Sequence, residues 1–388
     1  MPKTMMSMIL LLVLVSAANA QRDLSDDPTA PPSGSSGSAG KSSSPAEKAK
    51  PTAPPKFEAS DGPGALPWLL AGGVIVVLVV GGFIAVNITK KQRENSSGPR
   101  EAIVPEQGLV FKDYRFQSHL MTGQSSQVWE VVETNSGRHL AMKILLPEQA
   151  SNPAMRQQLF HEASVGQQLA HPNIIRIHKV DRNRFNPNFV MEFFPSGSLG
   201  LKIMRWQKQW DFIREHAHSI LKQAATALAF MNAKGWVHRD VKPDNILVNA
   251  GGEVRLIDFA LAQRMGGGGG FMRKRKCQGT RSYMSPEQIL CKPLDGRADI
   301  YSFAAAAYEL VTGRPPFRAG DSNDLLRKHL VEKPVSPEIH NPQVTKEFAD
   351  LVLQMLSKKK EARPNDFHMV LMKLKTIKLF KPAEAKAV

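Results

Sequence analysis

The sequence predicts an α+β fold for the part of the chain that follows Phe111, because both strand and helix patterns occur there. The stretch HLAMKILLP, residues 139–147, has the alternation of a half-buried strand. The stretch QQLFHEASVGQQLAHPNII, residues 157–175, repeats apolar residues at helical spacing. With 388 residues, the chain can bury a substantial core in one large domain or two ordinary ones. Two dense apolar runs precede residue 90 and stand apart from this globular part.

The first apolar run predicts a secretory signal peptide over residues 1–20. It has a single lysine near its start, an apolar centre from Met8 to Val15, and small residues at its end, as such peptides do. The apolar centre is too short to cross a bilayer comfortably. An uncleaved signal anchor is the alternative, because the positive charge near the N-terminus is weak.

The second apolar run predicts a transmembrane helix over residues 67–89. The run carries no charge, and its length matches the ~20 residues needed to cross a bilayer. A buried core helix is the alternative, but such helices are usually shorter and seldom entirely apolar. Lys90, Lys91 and Arg93 follow the run, so the positive-inside rule places the C-terminal part in the cytoplasm. The sequence therefore predicts a single-pass protein of the cell membrane.

Between the two runs, residues 21–66 are predicted to form a low-complexity tether outside the cytoplasm. Residues 28–55 contain 22 Pro, Ser, Gly or Ala residues among 28, too little apolar surface to offset the entropy of ordering. Strand or helix periodicity is missing from this stretch of sequence. A compact ligand-binding sensor is therefore not expected there.

The formal net charge of +16 raises the question of nucleic-acid binding. The charge is dispersed, with a basic linker over residues 90–110 and dense clusters only at RKRK, 273–276, and SKKKEAR, 357–363. Zinc-finger spacing and aromatic RNA-binding motifs do not accompany these clusters in the sequence. A charged face or attraction to anionic lipid is the better interpretation, and no nucleic-acid partner is expected.

The most informative motif is GWVHRDVKPDNILVNAGGEVRLIDF, residues 235–259. Within it, HRDVKPDNIL followed by IDF resembles the catalytic loop and metal-binding segment of Hanks-type protein kinases, including membrane-anchored Ser/Thr kinases of bacteria. The resemblance covers residues 111–376 and leaves residues 377–388 as a C-terminal tail. It implies a two-lobed fold, with a five-stranded antiparallel sheet and one helix in a small first lobe and a larger, helical second lobe.

In this family, phosphoryl transfer from ATP depends on positioning and on neutralising charge. The resemblance implies that Asp240 orients the substrate hydroxyl and accepts its proton, and that Lys242 stabilises the transferring phosphate. Asn245 and Asp258 are expected to hold Mg²⁺. A lysine two residues after the catalytic aspartate resembles Ser/Thr rather than tyrosine kinases, so the expected partners are protein substrates with Ser or Thr acceptors.

The resemblance also assigns the ATP contacts. Lys143 resembles the strand lysine that contacts the α- and β-phosphates, and Glu162 is expected to pair with it. The remaining contacts belong to the phosphate-covering loop, a strand and the hinge, where Met191 is the gatekeeper and residues 192–194 offer backbone groups to adenine. These residues are Gly123, Val128, Ala141, Met191, Glu192 and Phe194.

Structural roles are expected for three charged residues of the second lobe. In the family, residues matching Glu287 and Arg363 form a buried ion pair, and the residue matching Asp299 anchors the catalytic loop. His238 and Arg239 are expected to pack behind Phe259 and to brace the activation segment, which runs from residue 258 to residue 287.

The sequence departs from the family pattern in the phosphate-covering loop, where Met121 and Ser126 replace two glycines. Glycine is favoured there because backbone amides must approach phosphate closely. Ala260 replaces the glycine that follows Phe259, and Gly166 stands four residues after Glu162, where a leucine is usual. These departures predict weaker nucleotide binding and a loosely held helix, which an activating homodimer would order.

Two functions therefore remain open, an active kinase and a pseudokinase that acts as a membrane-tethered scaffold. The activation segment also departs from the family pattern, because residues 259–279 contain no Ser, Thr or Tyr to serve as the usual phosphorylation site. The five glycines at 266–270 are interpreted as a flexible loop. A sharper interpretation is that the adjacent RKRK cluster attracts acidic substrates or a phosphorylated partner.

Overall fold

The computed structural model describes residues 101–266 and 278–382. The predicted signal peptide, tether and transmembrane helix lie outside these residues, as do most of the glycine run and the last six residues of the predicted tail. In the two described ranges, no helix has both the length and the apolar character needed to cross a bilayer.

The first lobe is built on one antiparallel sheet. Its strands are β1 (Val110–Phe111), β2 (Tyr114–Thr122), β3 (Ser126–Glu133), β4 (His139–Leu145), β5 (Ile177–Asp181) and β6 (Asn188–Glu192). Their spatial order is β1-β2-β3-β4-β6-β5. The sequence predicted five strands, and the sixth is the two-residue edge strand β1, which pairs with the start of β2. Such a short edge strand carries no alternation that a sequence pattern would reveal.

One helix of this lobe, α1 (Pro153–Gly166), packs on one face of the sheet. The Asn152 side chain caps it by accepting a hydrogen bond from the Ala154 amide at 3.0 Å. Pro153 occupies the first helical position, where its missing N–H costs nothing. Leu159 on the helix is buried with Phe189 of the sheet, so the spacing of apolar residues orients the helix.

The opposite face of the sheet is covered by residues 101–111. The Ile103 amide donates to the Asn186 side-chain oxygen at 2.7 Å, and the Asn186 side-chain nitrogen donates to the Glu101 carbonyl at 2.9 Å. Asn186 is 2% exposed, so this clamp is buried. The folded lobe therefore begins about ten residues before the boundary predicted at residue 111.

The second lobe is mostly helical, as the resemblance implies. Its described helices are α2 (Leu199–Met204), α3 (Trp210–Ala233), α4 (Pro286–Ile289), α5 (Gly296–Thr312), α6 (Ser322–Val331), α7 (Pro337–His340), α8 (Lys346–Met355) and α9 (Phe367–Thr376). Short strands β7 (Gly197–Ser198), β8 (Trp236–Val237), β9 (Ile246–Val248), β10 (Val254–Leu256) and β11 (Gln263–Arg264) form the small sheets β10-β9-β7 and β11-β8.

The core of the second lobe lies around α5, which is buried along almost its whole length. The four alanines at 304–307 present little side-chain volume, so neighbouring helices approach closely. The helix ends at Gly313, whose φ of 72° is left-handed. A Cβ there would also lie 2.9 Å from the Trp206 ring, so glycine is required. At the C-terminal end, Phe380 packs edge-on against Trp210, which extends the folded region beyond residue 376.

A buried histidine contacts helix α5 at this core. His329 on α6 is 0% exposed, and its Nδ1 lies 2.9 Å from the Tyr301 hydroxyl oxygen. Burial, with the nearby Lys358 ammonium, lowers the pKa of His329 to about 4. The Lys358 ammonium donates to the His329 backbone carbonyl at 2.9 Å, so the two groups are fixed together. The folded protein therefore resists protonation of this imidazole.

Acidification is expected to destabilise the protein through His329. The unfolded chain takes up this proton near pH 6.5 and the folded chain only near pH 4, so stability falls across that window and no further below it. The expected loss is about 3 kcal/mol. Urea unfolding at several pH values checks this, with His329→Gln as the variant that cannot titrate. Equal pH dependence in the two proteins would contradict the prediction.

Candidate active site

The catalytic loop follows β8, and Asp299 on α5 holds it through hydrogen bonds to its backbone. The Asp299 carboxylate accepts hydrogen bonds from the backbone amides of His238 (2.9 Å) and Arg239 (3.0 Å). The Asn232 side chain adds a third bond at 3.1 Å. Burial raises the pKa of Asp299, and these donors oppose it. Arg239 has a left-handed φ of 70°, so the anchor stabilises a strained turn.

Asp240 follows this turn, and both of its carboxylate oxygens are bonded. Oδ1 accepts from the Thr280 amide (2.9 Å) and hydroxyl (2.8 Å), and Oδ2 lies 2.9 Å from the Lys242 ammonium. The Asn245 side chain also donates to Oδ2 at 3.1 Å. Burial alone would raise the pKa of Asp240, but Lys242 and Thr280 outweigh it and hold the pKa below its usual value. The carboxylate is thus ionised at neutral pH.

Lys242 connects the catalytic loop to the activation segment. Besides Asp240, its ammonium group donates to the Thr280 hydroxyl at 2.9 Å. Asp240, Lys242 and Thr280 therefore form a closed triangle of contacts. Its members come from two segments that lie about forty residues apart in the chain. Thr280 therefore contacts both charged groups of the catalytic loop.

The two expected metal ligands are brought together by backbone bonds. The Ile257 amide, next to Asp258, donates to the Asn245 carbonyl at 3.0 Å. His238 Nε2 lies 3.1 Å from the Ile257 carbonyl, which ties the segment to the catalytic loop. Asp258 has a left-handed φ of 64°, the second strained residue of the site. Strain held in this way is common where a side chain must point at a ligand.

Lys143 and Glu162 are paired in the cleft of the first lobe. The Lys143 ammonium donates to both carboxylate oxygens of Glu162, at 2.9 and 2.7 Å. Burial would lower the pKa of Lys143, but the carboxylates of Glu162 and Asp258 outweigh it and raise it. Burial raises the pKa of Glu162 to about 7, against the attraction of Lys143. The pair fixes the lysine head group and draws α1 towards the sheet.

Strand register places the expected adenine contacts on the face that carries Lys143. Val128 of β3 lies directly opposite Lys143, and Met191 of β6 lies opposite Ala141. Directly paired residues point to the same face, and so do residues two apart on one strand. Val128, Ala141 and Met191 therefore line one wall with Lys143. The wall is apolar around a single charged group.

The phosphate-covering loop is the short connection between β2 and β3. The Gly123 amide donates to the Ser126 carbonyl at 2.8 Å, which closes the hairpin. A Cβ at Gly123 would meet only that carbonyl, at an ordinary 3.5 Å. The hairpin itself therefore does not require glycine at this position. Met121 and Ser126 lie at the strand ends, with Met121 53% exposed.

The hinge is fixed by two arginines that the sequence did not single out. The Glu192 amide donates to the Arg176 carbonyl at 2.8 Å, and its carboxylate accepts from Arg255 of β10 at 3.0 Å. The Arg255 guanidinium also stacks 4.6 Å from the centre of the Phe194 ring. The Glu192 amide is thus already bonded, which leaves other backbone groups of the hinge for adenine.

Two contacts hold the start of the activation segment. His161 Nε2, on α1, lies 2.7 Å from the Ala262 carbonyl oxygen. Arg239 donates to the neighbouring Leu261 carbonyl at 3.4 Å. These contacts join residues far apart in the chain, and nothing in the sequence pattern marks His161 as a partner of residue 262. Helix α1 is therefore bonded at two points, through Glu162 and through His161.

The predicted structural ion pair is confirmed. Arg363 donates to Glu287 through two parallel bonds of 2.7 and 2.9 Å, and the Arg363 side chain is 0% exposed. Three backbone carbonyls, of Arg297, Ser357 and Lys358, accept its remaining hydrogen bonds. The pair joins α4 to the segment before α9.

The oxygen atoms of the Asn245 and Asp258 side chains fit the expected Mg²⁺ bound together with ATP. Magnesium prefers oxygen ligands and is usually held by one or two carboxylates together with substrate phosphates. Asn245 and Asp258 offer one amide oxygen and one carboxylate. In the described residues, no group of three or more His, Cys, Asp or Glu is arranged so that it could hold a metal ion by itself.

Comparison with known proteins is consistent with this geometry. Residues 114–374 match the family model of the protein kinase domain. Serine/threonine-protein kinase PknA of Mycobacterium tuberculosis is 31% identical over 245 residues, which are 62% of this chain and 56% of that protein. PknD of the same species is 33% identical over 240 residues, or 62% of this chain and 35% of that protein.

A probable serine/threonine-protein kinase of Streptomyces coelicolor is 30% identical over 255 residues, which are 64% of this chain and 37% of that protein. The matched region spans between about a third and somewhat over half the length of these relatives. The family match covers more than half of this chain and confirms the resemblance drawn from the catalytic motif. The chain belongs to the protein kinase family, and the relatives described above are named as serine/threonine kinases of bacteria.

Proposed function

We propose that this protein transfers the γ-phosphoryl group of ATP to Ser or Thr residues of protein substrates. The observation that carries the proposal is the bonding of Asp240. Its ionised carboxylate is held by Lys242, Thr280 and Asn245, beside the segment that bears Asp258. A proton acceptor bonded to a cation, next to a segment that carries a second carboxylate, supports phosphoryl transfer, which depends on such groups.

Each of the site residues would have its own role in phosphoryl transfer. Asp240 would accept a hydrogen bond from the substrate hydroxyl and take its proton as the hydroxyl oxygen bonds the γ-phosphorus and the bond from that phosphorus to the bridging oxygen breaks, with ADP as the leaving group. Lys242 would neutralise charge on the transferring phosphate, and Lys143 would hold the α- and β-phosphates. Magnesium, held by Asn245 and Asp258, would offset the negative charge of the phosphate oxygens. Glu162 keeps Lys143 extended into the cleft, so the lysine is positioned before ATP binds.

Phosphate transfer by the purified full-length chain tests this proposal. With labelled ATP and Mg²⁺, phosphoserine and phosphothreonine are expected in the chain itself or in a generic protein substrate, and phosphotyrosine is not. Transfer confined to tyrosine would overturn the assignment of the acceptor. A complete lack of transfer would contradict the proposed kinase activity.

The second candidate is the pseudokinase, favoured by Met121 and Ser126 in the phosphate-covering loop and by Ala260. Gly166 and the loosely held helix no longer support it, because α1 is bonded through Glu162 and His161. The same contacts weaken the reason for an activating homodimer, which stays a prediction. A chain that neither transfers phosphate nor gains thermal stability from ATP and Mg²⁺ would favour the scaffold, since a ligand that binds the folded state must stabilise it.

We further propose that the protein is anchored in the cell membrane with its kinase domain in the cytoplasm. The support is the uncharged run at residues 67–89 and the basic residues that follow it. Expressed in a bacterial host, the full chain should remain in the membrane pellet after an alkaline carbonate wash. A variant that lacks residues 67–89 should appear in the soluble fraction. Release of the full chain by the wash would contradict the anchor.

A further inference from the structure

The loop between β5 and β6, residues 182–186, lies where the chain from the proposed membrane span enters the folded domain. Its last residue, Asn186, bonds the Ile103 amide at 2.7 Å and the Glu101 carbonyl at 2.9 Å. Residue 101 is the first residue that the structure describes. Residues 90–100, which connect the proposed span to the domain, therefore end beside this loop.

Short-range hydrogen bonds fix the shape of the loop. The Asn183 side-chain oxygen accepts from the Phe185 amide at 2.8 Å and from the Asn186 amide at 3.0 Å, as in an Asx turn. From α1, the Arg156 guanidinium donates to the Arg184 carbonyl at 2.6 Å. None of these bonds uses the side chain of residue 182, 184 or 185. The loop therefore keeps its backbone in place and presents these three side chains.

Two cations and an aromatic ring are exposed on this loop. Arg182 and Arg184 are exposed, and 37% of the Phe185 surface is exposed. The Arg184 guanidinium carbon lies 5.8 Å from the centre of the Phe185 ring. The Arg182 guanidinium carbon lies 4.6 Å from the centre of the Phe160 ring on α1. Val104, next to the clamped backbone, is 73% exposed. Basic and apolar side chains thus lie together around the entry point.

The positive charge of this surface is not neutralised within the described residues. Asp181, which precedes the loop, is paired with Lys112 at 2.5 Å, and Asp113 is paired with Lys179 at 3.4 Å. By contrast, Arg156 and the two loop arginines form no ion pair in the described part of the chain. The exposed carboxylate of residue 101 offsets one of these three charges at most. The surface therefore keeps a net positive charge.

We propose that residues 182–186, with Arg156, form a docking surface for the anionic headgroups of the bilayer. A guanidinium group binds a phosphate through two parallel hydrogen bonds, which suits Arg182 and Arg184 to phospholipid headgroups. Phe185 would enter the boundary between headgroups and acyl chains, where an aromatic ring beside basic residues is favourable. The proposal rests on the proposed membrane anchor and does not depend on phosphate transfer.

The chain outside the folded domain favours the bilayer as the occupant of this surface. Residues 90–100 contain four basic residues and one acidic residue. Basic residues next to a membrane span are attracted to the anionic lipids of the cytoplasmic leaflet. The same connection keeps the loop close to that leaflet, so a contact that is weak by itself is made at a high effective concentration. Docking would turn the first lobe towards the membrane through this loop.

Photo-cross-linking in the full-length chain tests the proposal. The photoreactive analogue p-benzoylphenylalanine replaces Phe185, and the chain is reconstituted in bilayers of phosphatidylcholine alone or of equal parts phosphatidylcholine and phosphatidylglycerol. Cross-linking to lipid should be stronger in the anionic bilayers by about fivefold or more, because that surface attracts basic residues. It should fall as salt is added. Arg182→Gln with Arg184→Gln should lower it to the level in phosphatidylcholine alone.

Two matched controls show whether the effect belongs to this loop. Arg318→Gln with Lys333→Gln removes two exposed cations of the second lobe and should leave cross-linking at residue 185 unchanged. The same analogue in place of Ile339, which is 71% exposed on α7, should give little lipid cross-link in either bilayer. The loop variant should keep the thermal midpoint of the wild type, because glutamine leaves the hydrogen bonds of the loop backbone in place.

Equal cross-linking in the two bilayers, or cross-linking that survives the loop substitutions, would overturn the proposal. Cross-linking of residue 185 to a second protein chain in place of lipid would overturn it as well. A full chain that withstands the carbonate wash but shows no lipid cross-link would refute the docking surface and leave the anchor intact. If the wash releases the chain, flotation with vesicles of the same lipids decides. Binding to anionic vesicles that the loop variant loses would support the surface, and an absence of binding would overturn it.

Discussion

Asp240→Asn is expected to lower the rate of phosphate transfer by about 10²- to 10⁴-fold, the usual contribution of a positioned general base. The amide oxygen of asparagine can still accept hydrogen bonds from Thr280, so the loop should keep its conformation. The amide nitrogen cannot accept from Lys242 or Asn245, and the side chain can no longer take a proton from the substrate. Initial rates with labelled ATP measure the effect.

ATP binding should survive this substitution, because Lys143 and Asp258 are unchanged. A rise of the thermal midpoint with ATP and Mg²⁺, equal to that of the wild type, would show this. Asp350→Asn, the same chemical change at an exposed surface pair, serves as the control and should transfer phosphate at the wild-type rate. Transfer by the Asp240 variant within tenfold of the control would exclude Asp240 as the proton acceptor.

Arg363→Met is expected to destabilise the protein by about 3–5 kcal/mol, a large part of the 5–15 kcal/mol typical of folded domains. The substitution leaves the 6% exposed Glu287 carboxylate without its cation. It also removes the donor to three backbone carbonyls. Urea or thermal unfolding of the variant and the wild type measures the loss.

Two further variants show whether the cause is the buried charge. Glu287→Leu combined with Arg363→Met removes both ions, so it should be less destabilising than Arg363→Met alone. Lys346→Met breaks an exposed pair with Asp350 and should not change stability measurably. An Arg363→Met protein as stable as the Lys346→Met protein would contradict the prediction.

The sequence predicted the parts of the site that depend on fixed spacing within motifs. Asp240, Lys242 and Asn245 lie within six consecutive residues, so the conformation of one loop brings them together. The pairs Lys143–Glu162 and Glu287–Arg363 were also predicted, because the resemblance aligned both members of each pair. In these cases, the order of the motifs along the chain is enough to predict the three-dimensional contact.

Contacts that depend on the relative placement of elements were not predictable in this way. Gly166 suggested a weakened helix, because helix propensity treats glycine as a loss. Ile177, whose Cδ1 lies 2.4 Å from the place a Cβ at Gly166 would take, is on a separate strand, and only the docking of α1 on the sheet brings the two together. The bond from His161 to the Ala262 carbonyl has the same origin. Propensity describes one element at a time, whereas packing decides what a missing side chain costs.

The buried Asn186 clamp limits how far the kinase domain can lie from the proposed membrane span. Because Asn186 bonds the backbone at Glu101 and Ile103, only residues 90–100 separate the proposed membrane span from the folded kinase domain. At no more than about 3.6 Å per residue, these eleven residues span at most roughly 40 Å. With the proposed anchor, the kinase domain would stay within that distance of the bilayer, so proteins in the same membrane would meet it at a far higher local concentration than proteins in the bulk cytoplasm.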